Sequence, residues 1–373
     1  MINTRQVFLL SAAILAASIP PAVAQSQASS TQTVIARGLQ GPRGLKFGPD
    51  GMLYVAEAGT GGTNSTKGVC PQVIPPVGPY RGGRNGRISR IDKSGNRTTV
   101  ASGFASSVNA LGSFQGVADL SFIDGTLYAL IAGGGCSHGV ANLPNAVVSV
   151  NTKNGSWKEV ANLSKFLMSH PVKYPNPDDF EPDGTFYSMI AFQNQLYVVE
   201  PNHGQVLLVQ RDGDVHSLID VSASQGHIVP TAITEHDGEF FLGNLNLFPI
   251  EPNFARILTL SHTECSRLFV PGLQDVGGSL HIVGSKAGFT TVVGTEFGPD
   301  GLLYVLELSD APGNPAPGNG KVVRIRQTGA IEDVATGLSV PTAMTFGPDG
   351  NLYVSNFGAA PAGAGQIVRI RIW

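Results

Sequence analysis

One pentapeptide recurs three times in this chain. Phe47-Gly-Pro-Asp-Gly51 returns at 297–301 and at 346–350, and each copy is followed one residue later by Leu-Tyr-Val, at 53–55, 303–305 and 352–354. Proline presets φ, the aspartate bonds its own backbone, the last glycine takes a positive φ, and Tyr and Val resume extension. The unit is strand, tight turn, strand. A chain that repeats such a unit has to stack its copies to bury their apolar faces.

Three degenerate copies fill the gap between the first and second full ones. Asp124-Gly125 precedes Leu127-Tyr128, Asn194 precedes Leu196-Tyr197-Val198, and Asp237-Gly238 precedes Phe240-Phe241-Leu242. Each of the six is followed by a loop and an alternating strand, expected at 87–92, 146–151, 205–210, 255–260, 321–326 and 366–371. A fourth strand follows at 97–101, 157–160 and 331–334, while in the fourth unit 261–279 reads as an insertion before 280–283. Four strands per unit and six units predict an all-β fold, a single six-bladed β-propeller. The chain ends support that count. The sixth unit stops at Trp373 after three strands, and residues 33–39 match 334–338 in character. The N-terminal strand is therefore expected to complete the last blade, closing the ring and leaving no open edge.

Glycine and proline, at 47 and 25 of 373 residues, suit a fold of many turns, and the low charged fraction of 14% argues against disorder. The net charge of −3 leaves no electrostatic footprint for nucleic acid and no polybasic run for an anionic membrane. Residues 1–24 have the build of a secretory signal: Arg5 at the start, an apolar run over 7–19, and Ala22-Val23-Ala24 as the cleavage site. That run is too short to span a bilayer, which takes about 20 helical residues. The expectation is a periplasmic or secreted protein with no membrane insertion, folded as one propeller domain over 25–373 and monomeric.

Surplus length collects in the loops joining second to third strands, at 58–86, 133–145, 245–254 and 309–320, with the connection 168–185 on the same face. Long loops on a rigid scaffold are where binding usually resides. Three residues after each central Tyr or Phe, the second strands end on Glu57, Ile131, Glu200, Asn244, Glu307 and Asn356. The five polar ones either supply oxygens to a hard cation at the channel mouth or cap their own loops by accepting backbone N–H bonds. On the innermost strands the aligned positions are Gly44, Asp119, Met189, Ala232, Gly294 and Ala343, so one carboxylate intrudes among mostly small residues. Asp119 is thus a candidate ligand or general base, or the partner of Arg43 in an ion pair.

His138, His170 and His203 fall in loops of that face, and none belongs to a metal-binding motif. His203, three residues from Glu200, is the candidate acid or base, and His138 a candidate binding residue. Cys70 and Cys136 sit in corresponding loops of adjacent blades, which allows a disulfide or, with His138, a metal site; Cys265 is left over. No nucleophile elbow and no phosphate-cradling loop with its lysine occurs.

Several runs carry a family resemblance: GPRGLKFGPDGMLYVAEAG, LYVVEPNHGQVLLV, VPTAITEHDGEFFLGNLNLFPIEPNFARI and the closing VPTAMTFGPDGNLYVSNFG. They resemble the ScyD/ScyE family of exported propellers over about 34–372. Named members of that family belong to the cyanobacterial pathway for the indole–phenol pigment scytonemin. More remotely the chain is similar to NHL-repeat, strictosidine synthase-like and gluconolactonase-like propellers. The last group holds a divalent cation at the channel mouth with Glu, Asn and Asp, which implies a Ca²⁺ or Zn²⁺ site of Glu57, Glu200, Asn244 and Asp119.

Two functions follow as expectations. One is a small-molecule-binding propeller acting on a secondary metabolite or lactone, with the cation held by those four residues, His203 and Asp119 as acid or base, and Arg43, Glu307, Asn356 and His138 as ligand contacts. The other is a non-enzymatic module gripping a glycan or protein partner. Composition does not separate them.

Overall fold

The computed structural model describes residues 31–263 and 279–372. The expected leader, Cys265 and most of the 261–279 insertion lie outside the described residues. Within them, six antiparallel sheets follow one another around an axis, five of four strands and the first of five. The innermost strands run Pro42–Phe47, Val117–Ile123, Ser188–Phe192, Pro230–His236, Val292–Phe297 and Ala343–Phe346, each contacting the next and the last contacting the first. Closure occurs as the chain ends imply: Gln32–Leu39 pairs antiparallel with Gly365–Ile370 as the outer strand of blade six.

The repeated pentapeptide explains itself atom by atom. In the three full copies the aspartate Oδ1 accepts the N–H two residues on, in Met52, Leu302 and Asn351. Its Oδ2 accepts the hydroxyl of Tyr54, Tyr304 or Tyr353 at 2.9, 2.9 and 3.0 Å. The last glycine needs φ of 71°, 72° and 76° (Gly51, Gly301, Gly350). The first lies under the tyrosine ring: a Cβ on Gly48 would come within 2.5 Å of Tyr54 Cε2. These tyrosines also join blades. Phe47 meets Tyr353 edge-on at 5.0 Å across the closure, as Phe346 meets Tyr304 at 5.0 Å and Phe122 meets Tyr54 at 5.2 Å.

Between blades the sheets bury apolar faces on each other. Leu306, Val322, Met344, Val354 and Val368 form one such layer between blades five and six. Two elements depart from expectation. The third strand of blade one begins at Arg81 and pairs as far as Val108, so the end of the 58–86 segment is strand. Gly82 and Gly83 hid it. They let this hairpin press against the blade-two loop, where a Cβ on Gly82 would lie 2.5 Å from the Gly139 carbonyl carbon. The outer strand of blade four, Leu280–Phe289, likewise extends well beyond 280–283.

Candidate functional site

The polar residues that end five of the second strands are all buried, and each turns back to hold a segment of its own blade. Glu57 accepts Gln40 N at 2.7 Å, Arg87 Nε at 2.9 Å and Nη2 at 2.7 Å, and the Ser89 hydroxyl. Glu200 accepts the N–H groups of Thr185 at 2.8 Å, His203 at 2.6 Å and Asn202 at 3.3 Å. Asn244 donates to Ile228 O at 3.0 Å and accepts Arg256 N at 2.9 Å. Glu307 accepts Thr290 N and pairs with Lys321 at 3.5 Å, and Asn356 accepts Ser339 N at 2.7 Å. Burial pushes the carboxyls of Glu200 and Glu307 up.

These are caps on the segments that lead into blades one, three, four, five and six. Their oxygens are already spent on N–H donors, whereas Ca²⁺ demands six to eight converging oxygens at about 2.3–2.6 Å. Among the described residues no group of three or more His, Cys, Asp or Glu side chains is placed to hold a metal ion. The set Glu57, Glu200, Asn244 and Asp119 therefore does not fit a divalent cation, because three of its members serve their own loops in three different blades.

Asp119 stands apart. It lines an axial cavity of about 110 Å³ together with Arg43, Lys46, Gln115, Tyr187 and Glu296. Period-two alternation accounts for part of this lining: Lys46 and Glu296 lie two residues beyond Gly44 and Gly294, and Tyr187 two before Met189, while Arg43 enters from the position beside Gly44. The Asp119 oxygens accept Leu120 N at 2.8 Å and, from the next blade, Met189 N at 2.7 Å. Among the described residues it forms no ion pair, so the expected Arg43 partner is not engaged. Its depth in the channel pushes its carboxyl from 3.8 up to about 6, against the pull of those two N–H groups and of Lys46.

Arg43 enters the cavity from the long-loop end, donates to Phe114 O and faces the Tyr187 hydroxyl oxygen. Tyr187 itself donates to Thr342 O at 2.8 Å, and burial raises its phenol to about 12, so it stays protonated at physiological pH. Toward the tight-turn end Lys46 and Glu296 approach to 3.9 Å and largely offset one another.

A second polar cluster lies in the long loops, away from the cavity lining. His138 Nδ1 faces Gly134 O at 2.6 Å; a carbonyl only accepts, so that nitrogen carries hydrogen. His138 Nε2 lies 3.0 Å from Glu181 Oε2, while Tyr80 donates to Glu181 Oε1 at 3.0 Å and the Thr185 hydroxyl to Oε2. Burial opposes charge on His138, yet Glu181, Gly134 O and Asp183 together hold its pKa above the ordinary value. Ser137 N and Oγ both donate to Asp183 Oδ2, at 2.8 and 2.6 Å. His203 Nε2 bonds Glu181 O at 3.0 Å, and its ring stacks on Phe180. Next to this cluster Cys70 and Cys136 are joined as a disulfide.

Of the candidate residues, the structure brings Arg43 and Asp119 to the channel. It places Glu57, Glu200, Asn244, Glu307 and Asn356 in caps, and His138 and His203 in the loop network. His203 and Asp119 therefore do not share the cavity lining as an acid–base pair would. Tyr187, Lys46 and Glu296 went unnoticed in the sequence, although the alternation that singles out Asp119 also points to them.

Fold and channel together define a six-bladed β-propeller with a polar axial cavity. Solved structures of that architecture are similar to this chain. A calcium-binding protein, regucalcin, from Agrobacterium tumefaciens shares 14% identity at a TM-score of 0.54, covering 92% of this chain and 95% of that one. A gluconolactonase from Xanthomonas campestris shares 9% at 0.53, covering 91% and 90%. A Thermus thermophilus protein described as a putative oxidoreductase (glucose dehydrogenase) shares 16% at 0.55, covering 92% and 100%. At these identities the likeness establishes a common fold. No protein-family model matches the chain, and no curated protein sequence matches it significantly. No described helix is long and apolar enough to cross a membrane.

Proposed function

We propose that this chain is an exported propeller that binds a small organic molecule at the long-loop end of its axial channel, with Asp119 as the group that exchanges a proton with it. One observation carries the reading: a cavity of about 110 Å³ holds a guanidinium and a carboxyl that no ion pair among the described residues neutralises. Uncompensated charge inside a fold is expensive unless something else repays it. A carboxyl held near 6 can donate or accept a proton close to neutral pH. The ScyD/ScyE-like sequence runs and the gluconolactonase-like architecture favour a secondary metabolite or lactone as ligand.

Saturation-transfer NMR of the mature chain against a panel of lactones and phenols tests the site. Ligands whose signal disappears in Ala343→Leu, which fills the channel, support it. Ligands indifferent to that change place binding elsewhere.

A second reading, a glycan or protein partner on the long-loop face, is favoured by the exposed Val69, Leu111, Met168, Tyr174, Phe248 and Phe254 in the loops of that face. A partner whose binding is abolished by Met168→Asp with Phe254→Asp, and unaffected by Ala343→Leu, would make the face the site.

A further inference from the structure

Resting on the channel reading, we infer that the ligand's recognised end is a carboxylate monoanion seated on Arg43. Most of the other half-buried cations among the described residues have an anionic partner; Lys286, which donates to Gly329 O at 2.7 Å, is the exception. Arg87 meets Glu57 at 2.7 Å, Arg90 meets Asp50 at 3.4 Å, and Lys46 meets Glu296 at 3.9 Å. Lys321 lies within 3.7 Å of Glu307, Asp310 and Asp333, and Arg324 pairs with Asp300 and Glu332. Arg43 has no such anionic partner among the described residues; what it meets is neutral, the backbone oxygen of Phe114 and the Tyr187 hydroxyl. A guanidinium offers five N–H donors in a planar fork that matches a carboxylate bidentately. That fork keeps donors to spare here, at a position that lines the cavity.

The surroundings restrict what can accept them. The cavity of about 110 Å³ takes a small organic group or one end of a larger ligand. The Tyr187 hydroxyl donates its hydrogen bond to Thr342 O, so toward the cavity it presents lone pairs and welcomes a donor from the ligand's neutral part. Asp119 lies deeper, on the same aligned row as Gly44, and would repel a second negative charge. The Lys46–Glu296 pair at the far end offers no net charge. A monoanion whose neutral polar tail points toward Asp119 satisfies all four neighbours; a dianion or a cation does not.

The test uses three probes of one shape: propionate, propionamide and n-propylammonium, with succinate as the dianion. Binding to the full mature chain is read by saturation-transfer NMR at low and high salt, in wild type, Arg43→Gln, Arg43→Lys and Ala343→Leu. The expected result is that propionate binds at least tenfold more tightly than the amide or the ammonium and outcompetes succinate. Arg43→Gln should remove that preference, Arg43→Lys retain part of it, and Ala343→Leu abolish binding altogether. Propionamide binding as well as propionate, with both lost in Ala343→Leu, would leave the channel as the site and overturn the charge assignment. Propionate binding that survives Arg43→Gln would overturn it as well. Failure of every probe to distinguish wild type from Ala343→Leu would overturn both the assignment and the channel reading. Should Arg43→Gln not fold, the ranking of the three probes in wild type together with Arg43→Lys still decides.

Discussion

Asp119 occupies the space that a side chain at Gly44 would need. An ideal Cβ at Gly44 would lie 2.6 Å from the Asp119 carboxyl carbon and 2.7 Å from its Cα, well inside the separation of packed carbons at about 3.5–4.0 Å. The carboxylate of blade two is therefore pressed against the backbone of blade one while it accepts Met189 N of blade three. Gly44→Ala should destabilise the ring by about 1–3 kcal/mol through overpacking. Combining it with Asp119→Ala should recover only part of the loss, because the contact with Cα remains. A double-mutant cycle from urea unfolding measures the coupling, and strict additivity would show that the two residues do not meet.

The same carboxyl should make stability depend on pH. Held near 6 in the fold against an ordinary 3.8, it takes up a proton on folding between those values. Stability therefore falls as pH rises through that window, and the full penalty, roughly 2–3 kcal/mol, is present above it. Asp119→Asn cannot titrate. Plotted against pH from 4 to 7.5, the wild-type unfolding free energy should drop relative to the variant by that amount, whatever constant offset the lost N–H acceptor introduces. Parallel curves would mean that the carboxyl is not held up by its surroundings.

Much of this architecture was legible in the sequence because each level agrees with the next. The Asp of the pentapeptide serves both the turn and the tyrosine four residues on, and the missing last strand reappears at the start of the chain. The caps were harder to read. Glu57 and Asn356 carry the same oxygens whether they face a cation or a backbone N–H. What decides is the pairing of Gln40 N with Glu57 and of Ser339 N with Asn356, 17 residues back in each case, a three-dimensional fact. The loop network was harder still, since Tyr80 and Glu181 lie 101 residues apart and nothing periodic marks either.

His138 and Glu181 should behave as one buried charge pair. With its pKa raised in the fold, His138 contributes stability that is complete below the unfolded value of about 6.5 and is lost as pH rises through the folded one. Wild type should therefore weaken between pH 6.5 and 8.5 relative to Glu181→Gln, which lacks the carboxylate. Glu181→Ala should cost about 3–5 kcal/mol at pH 6, because it strands the imidazole and the Tyr80 hydroxyl without their acceptor. Chemical denaturation at the two pH values separates these effects. A pH-independent difference between wild type and Glu181→Gln would show that the imidazole stays neutral.

The Cys70–Cys136 disulfide should act first on this network and only then on the ring. It closes a span of 66 residues, for which chain entropy predicts roughly 4 kcal/mol. Its position argues that the loss begins locally. Around it Thr66 donates to Cys136 O, Asn64 and Gly82 exchange backbone hydrogen bonds at 3.1 and 2.8 Å, and Ser137 and His138 follow directly in the chain. Removing the link with Cys70→Ser/Cys136→Ser should free segments 58–80 and 133–145 and unseat His138 from Glu181, while blades four and five, on the far side of the ring, keep their pairing. Hydrogen exchange should rise in those two segments under conditions where strands Glu239–Asn244 and Val292–Phe297 remain protected. The pH-dependent contribution of His138 should shrink in the same variant. Uniform loss of protection around the whole ring would instead make the disulfide a global staple with no special hold on the long-loop face.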